Sequence, residues 1–251
     1  MDQYFNFPLK EKAEINLFGL ANHTSGLPRL PSNLDLTKVN PQNPYKDYGK
    51  EQLEFYLQNA LQLTSKKRSK YEYSNLGVGL LAYVLGLSQN QPFEQLLQKN
   101  VFDKYQMTNS YTNRFNIKNE LVTGIDDNGN KCENWDFNAH FGAGGILSSV
   151  SDLSKFVLAH FSASNKELAL TRIPTHSVNN KMKIGLGLHI IKTRSGEKVY
   201  WHNGGTGGYS SSMVFNTKNK NAVIILSNLS AFSAKNRNID NLCFELIKQL
   251  N

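Results

Sequence analysis

Two kinds of apolar periodicity divide the chain, helical spacing in its middle and strand-like alternation toward its end. Helical spacing runs over residues 50–63, over the stretch that follows Asn75, from Pro92 to about Tyr105, and over residues 151–161. Strand-like segments follow at residues 184–191, 198–202, 210–215 and 222–226, and a last amphipathic helix is predicted over residues 239–250. Short turns join these strands, so neighbouring strands should run antiparallel.

This order of elements predicts an α+β fold, an antiparallel β-sheet flanked by helices, with a helical subdomain. We expect a single domain over residues 1–251, with the helical region at about 50–165 and the sheet with its closing helix at about 184–251. Residues 31–49 carry several Pro, Asn and Asp and are predicted to form an extended loop.

An acidic run at residues 126–130 (Asp-Asp-Asn-Gly-Asn) has two interpretations. A calcium loop is excluded, because the glycine is misplaced and Phe137 occupies the twelfth position from Asp126, where a bidentate acid is needed. A β-hairpin turn around Asn128 and Gly129 is the structure that the pattern favours.

Composition excludes several classes of protein. The formal net charge is +8, but the densest basic run, residues 66–70, is explained by a solvated loop, so no nucleic-acid partner is expected. The longest apolar run, residues 77–87, is too short to cross a bilayer, and no signal peptide is visible at the start. Cys132 and Cys243 lack CxxC spacing and the six histidines are scattered, so we expect no metal, no disulfide framework and no cofactor.

The stretch at residues 201–211 (Trp-His-Asn-Gly-Gly-Thr-Gly-Gly-Tyr-Ser-Ser) is the first candidate functional segment. Glycine allows a close approach of backbone and ligand, and His202 at its mouth can move protons or hydrogen-bond near neutral pH. The alternative is a flexible glycine-rich hairpin with an incidental histidine.

A second candidate lies far upstream at Tyr73, Ser74 and Asn75, just before a predicted helix. Ser74 or Asn75 can cap that helix, which is a purely structural interpretation. In the functional interpretation, the Tyr73 hydroxyl and the Asn75 amide lie in a cleft at the helix start. His23, in a polar turn, is predicted to be a structural histidine that hydrogen-bonds the turn.

Five motifs occur along the chain in a fixed order, each of them weak alone. They are residues 23–28 (His-Thr-Ser-Gly-Leu-Pro), 73–77 (Tyr-Ser-Asn-Leu-Gly), 142–149 followed by Asp152, 185–187 (Gly-Leu-Gly) and 202–208 (His-Asn-Gly-Gly-Thr-Gly-Gly). In this order they resemble the serine β-lactamase and penicillin-binding family, nearest its class C, esterase and D-alanyl-D-alanine carboxypeptidase branch. The resemblance covers nearly the whole chain and implies a β-lactamase/transpeptidase-like fold.

The resemblance also implies a mechanism in which a serine attacks an amide or ester carbonyl and forms an acyl-enzyme. Tyr73 would then be the proton shuttle, and Asn75 would hydrogen-bond the substrate amide or the catalytic lysine. His202 would orient a substrate carboxylate or the tyrosine hydroxyl. Gly204 completes the third motif, and the Gly205 backbone N–H would be an oxyanion donor.

The sequence differs from the family at one motif, the Ser-x-x-Lys that carries the nucleophile. In the family this motif lies upstream of residues 23–28 at the start of a buried helix, and too little chain precedes His23 to hold that helix and the first strands. The one Ser-x-x-Lys in the sequence, Ser195 to Lys198, falls in a predicted hairpin turn, and a threonine version at residues 64–67 falls in a basic loop. We expect neither to be the nucleophile, and the chain itself to catalyse negligible acyl transfer.

Two hypotheses follow. In the first, the chain is a truncated part of a serine hydrolase that acts on a β-lactam, a D-alanyl peptide or a small ester. That enzyme would be periplasmic or secreted if an N-terminal extension carries a leader, and cytoplasmic otherwise. In the second, the chain begins at Met1 and is a non-catalytic β-lactamase-like protein that binds a ligand or a partner chain.

Overall fold

The computed structural model describes residues 1–64, 70–117, 121–193 and 196–250, and the chain forms two compact units. Met1–Gln98 and Trp135–Gly145 make up the first, here called the helical unit. Lys99–Asn134 and Ile146–Asn251 make up the second, the sheet unit. The α+β class is confirmed, whereas a single domain over residues 1–251 stays a prediction.

The helical unit packs around one central helix. Its helices are α1 (Leu17–Ala21), α2 (Lys50–Phe55), α3 (Asn75–Gln89), α4 (Phe93–Leu97) and α5 (Phe141–Gly144). Helix α3 buries Leu76, Leu80 and Val84 completely, four residues apart, so that one face of the helix carries the core. Residues 31–49 form turns rather than regular elements, yet they contribute Tyr45 and Tyr48 to the same core.

Two predicted helices are shorter than expected. The pattern over residues 50–63 gives helix α2 and then a π-helical turn at Tyr56–Ala60, where the backbone leaves the regular α-helical hydrogen-bond spacing. The pattern from Pro92 to about Tyr105 gives α4 and a second π-helical turn at Gln98–Phe102. Apolar spacing specifies which side chains are buried, and it does not distinguish these two helical geometries.

The sheet unit is built on a six-stranded antiparallel sheet in sequence order. A two-stranded hairpin precedes it, β1 (Gly124–Ile125) with β2 (Lys131–Cys132), which confirms the turn predicted at Asn128 and Gly129. The sheet strands are β3 (His176–Ser177), β4 (Met182–Ile184), β5 (His189–Lys192), β6 (Lys198–Gly205), β7 (Ser210–Asn216) and β8 (Asn221–Ser227). The helices of this unit are α6 (Val150–His160), α7 (Lys166–Thr171) and α8 (Arg237–Gln249).

The single strand predicted over residues 184–191 is wrong, because the chain reverses within it. Strands β4 and β5 pair antiparallel with Ile184 opposite His189, and the Gly185 N–H donates to the Leu188 carbonyl across the turn at 2.8 Å. Gly187 has a φ of 83°, which favours glycine. A Cβ on Gly185 would come within 1.9 Å of the Thr171 carbonyl oxygen, so no side chain fits there.

Helices cover both faces of this sheet. On one face, Tyr200 and Phe215 pack with Val157 of α6. On the other, Val199 and Val214 pack with Cys243 and Ile247 of α8, which confirms that the closing helix lies on the sheet. The central strands are therefore held from both sides, and their register fixes the position of the glycine-rich segment at the end of β6.

Candidate active site

The Tyr73–Asn75 segment is fixed to the chain around His23 by a ladder of hydrogen bonds in the helical unit. The Glu72 N–H donates to the His23 carbonyl at 2.8 Å, and the Ser74 N–H donates to His23 Nδ1 at 3.2 Å. The Ser74 hydroxyl donates to the Pro28 carbonyl at 2.6 Å and accepts from the Gly77 N–H at 2.8 Å. Ser74 is therefore the N-cap of α3, and it places Tyr73 and Asn75 on either side of the cap.

His23 has the structural role that the sequence predicts. Its Nδ1 accepts a backbone hydrogen bond, its side chain is 2% exposed, and its φ of 60° lies in the left-handed region. The ring centroid lies 4.4 Å from that of Tyr73 and 5.8 Å, edge-on, from that of Tyr71. His23 thus holds the Tyr73 ring through packing and the Ser74 backbone through a hydrogen bond.

Tyr73 combines a partly buried phenol with a neighbouring cation. Burial raises the pKa of Tyr73 above its usual value, and the positive charge of Arg29 acts in the opposite direction without cancelling it. The Arg29 guanidinium carbon lies 5.3 Å from the centroid of the Tyr73 ring. Near neutral pH the phenol is protonated, so a further interaction with cations or substrate is needed before it can accept a proton.

Asn75 opens helix α3, and its side-chain amide hydrogen-bonds the hydroxyl of Tyr45. Tyr45 is buried, and its ring stacks on Phe137 with centroids 5.2 Å apart and planes 13° apart. Trp135 meets the same ring edge-on at 5.4 Å. The segment around residues 135–140 therefore provides an aromatic support under the side chain that holds Asn75.

His202 lies on β6 of the sheet unit, at the point where one neighbouring strand ends. Strand β5 pairs with β6 from Lys192 opposite Lys198 to His189 opposite Trp201, so β5 stops one residue before His202. Strand β7 continues on the other side, with Met213 opposite His202. Burial lowers the pKa of His202, so its imidazole is neutral near pH 7.

Gly204 and Gly205 are part of strand β6, paired with Ser211 and Ser210 of β7. The glycine-rich segment does form a hairpin, since β6 and β7 are consecutive paired strands, and both glycines lie in β6 rather than in the turn. A Cβ on Gly204 would come within 2.7 Å of the Ser211 Oγ, and one on Gly205 within 2.4 Å of the Ala231 Cβ. Packing inside the unit is thus sufficient to explain both glycines.

The candidate nucleophiles gain no support from the described residues. Ser195 lies outside the described part of the chain, and the Lys198 of its motif is an exposed first residue of β6 rather than part of a helix. Thr64 is described, and its hydroxyl is engaged by the Gly26 carbonyl at 3.1 Å and by the Glu72 carboxylate. Residues 65–67 of that motif lie outside the described residues.

Two residues near the candidate site were not predicted from the sequence. Tyr45 reaches Asn75, and Arg29 reaches Tyr73, both from the segment between the first two motifs. The one sequence feature that could have indicated Arg29 is its position directly after the His-Thr-Ser-Gly-Leu-Pro motif.

No group of three or more His, Cys, Asp or Glu side chains in the described ranges is arranged to hold a metal ion. None of the described helices has the length and apolarity needed to span a membrane.

Solved structures of known proteins share this fold. A β-lactamase/D-alanine carboxypeptidase from Pseudomonas syringae superposes with a TM-score of 0.79 at 19% identity, covering 98% of this chain and 75% of that one. The β-lactamase/D-alanine carboxypeptidase from Yersinia pestis, complexed with citrate, gives a TM-score of 0.74 at 22% identity over 99% and 78% of the two chains. A class C β-lactamase gives 0.76 at 17% identity over 96% and 70%. These likenesses confirm the predicted β-lactamase/transpeptidase-like fold.

Sequence comparison leads to the same group of proteins. Beta-lactamase-like protein 4 of Dictyostelium discoideum is 25% identical over an alignment of 240 residues, which covers 83% of this chain and 40% of that protein. The chain thus spans less than half the length of this curated relative. The family model described as Beta-lactamase matches residues 2–242. Because that match spans nearly all 251 residues, the chain belongs to the beta-lactamase family.

Proposed function

We propose that the chain supplies the tyrosine–asparagine and histidine–glycine parts of a serine hydrolase that forms an acyl-enzyme. The observation that carries the proposal is the capped turn at the start of α3. There Ser74 is consumed by capping and by the Pro28 carbonyl, while Tyr73 and Asn75 are held by separate contacts to His23 and Tyr45. A purely structural turn needs Ser74, and it does not need a fixed phenol and a fixed amide beside it.

The two parts would contribute different chemistry to the same reaction. Tyr73 would transfer the proton between nucleophile and leaving group, and Asn75 would hydrogen-bond the substrate amide or the catalytic lysine. His202, as a neutral imidazole, would donate one hydrogen bond to a substrate carboxylate. The Gly205 N–H would be one oxyanion donor. Substrates of this chemistry are β-lactams, D-alanyl peptides and small esters.

The 251-residue chain by itself should form no acyl-enzyme, because its one Ser-x-x-Lys, Ser195 to Lys198, falls in a predicted hairpin turn. We expect no covalent adduct in the intact mass after incubation with a fluorophosphonate or a penicillin. The matched sample is the same chain preceded by a designed extension that carries Ser-x-x-Lys at the start of a helix, which should be labelled once per molecule. A stoichiometric adduct on the unextended chain would refute the expected inactivity. An unlabelled but folded extended chain would favour the non-catalytic binding protein.

In the extended chain, Tyr73→Phe should lower the acylation rate about 100-fold or more, because the phenol hydroxyl is lost while the ring still packs on His23. The affinity for the substrate should change far less, because the substitution removes only this hydroxyl and leaves the other groups that bind the substrate in place. Stopped-flow acylation separates the two quantities. Equal losses in acylation and binding would mean that Tyr73 only positions the substrate. Tyr71→Phe, which changes a neighbouring phenol, is the matched control.

A further inference from the structure

Arg29 is held in a fixed place beside Tyr73 by its own backbone. Its carbonyl accepts from the Leu76 N–H at 3.0 Å, in the first turn of α3, and the preceding carbonyl of Pro28 accepts from the Ser74 hydroxyl at 2.6 Å. Residues 28–29 are therefore in register with residues 74–76. The position of the Arg29 Cα relative to Tyr73 and Asn75 is set by these bonds and does not depend on its side chain.

The guanidinium of Arg29 is available to a ligand. The residue is exposed, and its guanidinium carbon lies 5.3 Å from the centroid of the Tyr73 ring, within the range of a cation–π contact. A guanidinium carries its N–H donors along the edge of its plane. The ion pairs found among the described residues do not include Arg29. A carboxylate could accept two parallel N–H bonds from this edge, which is the geometry that favours arginine over lysine.

The permanent charge of Arg29 strengthens this argument. Arginine stays protonated at every pH at which a carboxylate is ionised, and the Arg29 guanidinium carbon lies 5.3 Å from the centroid of the Tyr73 ring. An anionic group that approaches Tyr73 therefore meets a cation at Arg29.

We propose that Arg29 is a specificity-determining residue that binds a carboxylate on the acyl side of the substrate. This inference rests on the proposed function, since it assumes that the acyl donor reacts beside Tyr73 and Asn75. The preferred substrates are then acyl donors with an acidic acyl group, such as a dicarboxylic half-amide. Donors whose acyl side is neutral bind less tightly.

The test uses two capped dipeptides that differ only at the acyl side, N-succinyl- and N-acetyl-D-alanyl-D-alanine, titrated calorimetrically into the 251-residue chain. We expect the succinyl peptide to bind about tenfold more tightly, the effect of one charge-assisted hydrogen-bonded pair. Raising the salt concentration should reduce this preference, because the pair is exposed. Arg29→Gln should abolish the preference, and Arg29→Lys should retain only part of it.

Arg237→Gln is the matched control, because it removes the same charge from an exposed position at the start of α8. Its binding preference should equal that of the unchanged chain. A preference that survives in Arg29→Gln, or disappears in Arg237→Gln, would overturn the proposal. Circular dichroism confirms that both variants fold, as expected for two exposed side chains.

If neither peptide binds, the 251-residue chain does not hold these substrates without a Ser-x-x-Lys segment, and a second measurement decides the role of Arg29. Succinate alone is titrated while the ¹³Cζ resonance of Tyr73 is followed by NMR. A saturable shift that Arg29→Gln removes supports an anion site at Arg29. No shift in the unchanged chain, or an equal shift in Arg29→Gln, overturns it.

Discussion

The protein should lose stability steeply as the pH falls from about 6.5 to about 4, because three buried histidines resist protonation in the folded chain. His140, His160 and His189 are 1%, 2% and 7% exposed. Burial is the main cause that lowers the pKa of each of them from 6.5 to about 4, with the Arg172 charge adding to the effect at His160 and His202 adding to it at His189. These histidines occupy both units, so both should become acid-labile.

The direction follows from where the protons bind. Above about pH 6.5 these imidazoles are neutral in the folded and the unfolded chain, and they contribute no pH dependence. Between pH 6.5 and 4 the unfolded chain takes up protons that the folded chain refuses, so the free energy of unfolding falls with the pH. A shift of this size corresponds to about 3 kcal/mol for each histidine. Three such losses approach the whole stability of an ordinary domain, about 5–15 kcal/mol.

His140→Phe tests this prediction most directly. Both ring nitrogens of His140 lack a hydrogen-bond partner among the described residues, and its ring packs 4.8 Å from that of Tyr48 and 5.4 Å from that of Tyr45. A phenylalanine removes the titrating group and keeps an aromatic ring in an aromatic cluster. Urea unfolding at pH 7.5 and 5.0 should show unchanged or higher stability at pH 7.5 and a smaller acid loss.

His160→Phe is the matched comparison, because Nδ1 of His160 lies 2.9 Å from a guanidinium nitrogen of Arg172. That variant should lose stability at pH 7.5 as well, since a buried hydrogen-bond partner disappears. Should His140→Phe keep the full acid sensitivity of the unchanged chain, His140 is not one of the groups responsible.

The sequence predicted the sheet more completely than its turns, and the region from Ile184 to Lys192 explains why. Apolar residues continue on both sides of a reversal, so the alternation pattern runs through it without a break. The reversal depends on the backbone at Gly187 and on the Thr171 carbonyl, which leaves no room at Gly185. The contact between Gly185 and the Thr171 carbonyl is long-range, so the local sequence does not reveal it. The positive φ of Gly187 is a local feature, but the spacing of the glycines alone did not indicate a turn there.

At the candidate site too, interactions between neighbouring residues could be predicted from the sequence, and contacts between distant residues could not. Ser74 as a helix cap, and Tyr73 and Asn75 beside it, can be predicted from a few neighbouring residues, because capping is a local interaction. Tyr45 and Arg29 come from loops 30 and more residues upstream, and no periodicity connects them to α3. Their contacts follow from the packing of turns in residues 28–48, which a hydrophobic pattern does not encode.

Asp152→Ala should destabilise the sheet unit by about 1–3 kcal/mol, because the buried Ser110 hydroxyl loses its carboxylate acceptor. The Asp152 side chain is fully buried and accepts from the Asn109 N–H at 2.6 Å, the Ser110 hydroxyl at 2.9 Å and the Lys155 ammonium at 2.9 Å. Burial acts to raise the pKa of Asp152, and Lys155, Ser110 and the Asn109 N–H outweigh it, so that the pKa is lowered below 3.8. The stabilisation is therefore present above about pH 4 and lost below it.

The size of this effect comes from what alanine leaves behind. Lys155 keeps its bond to the Gln106 carbonyl at 2.6 Å. The Asn109 N–H and the buried Ser110 hydroxyl lose their acceptor, and the segment after α4 loses its link to α6. Urea unfolding at pH 7.5 measures the loss. Asp35→Ala is the matched control, since Asp35 is a largely exposed carboxylate that also pairs with a lysine, at 3.0 Å, and its loss should lower the stability much less. If the two substitutions lower the stability equally, Asp152 contributes no more than an exposed carboxylate does, despite its burial. If only Asp152→Ala causes a large loss, Asp152 is the residue that joins these segments.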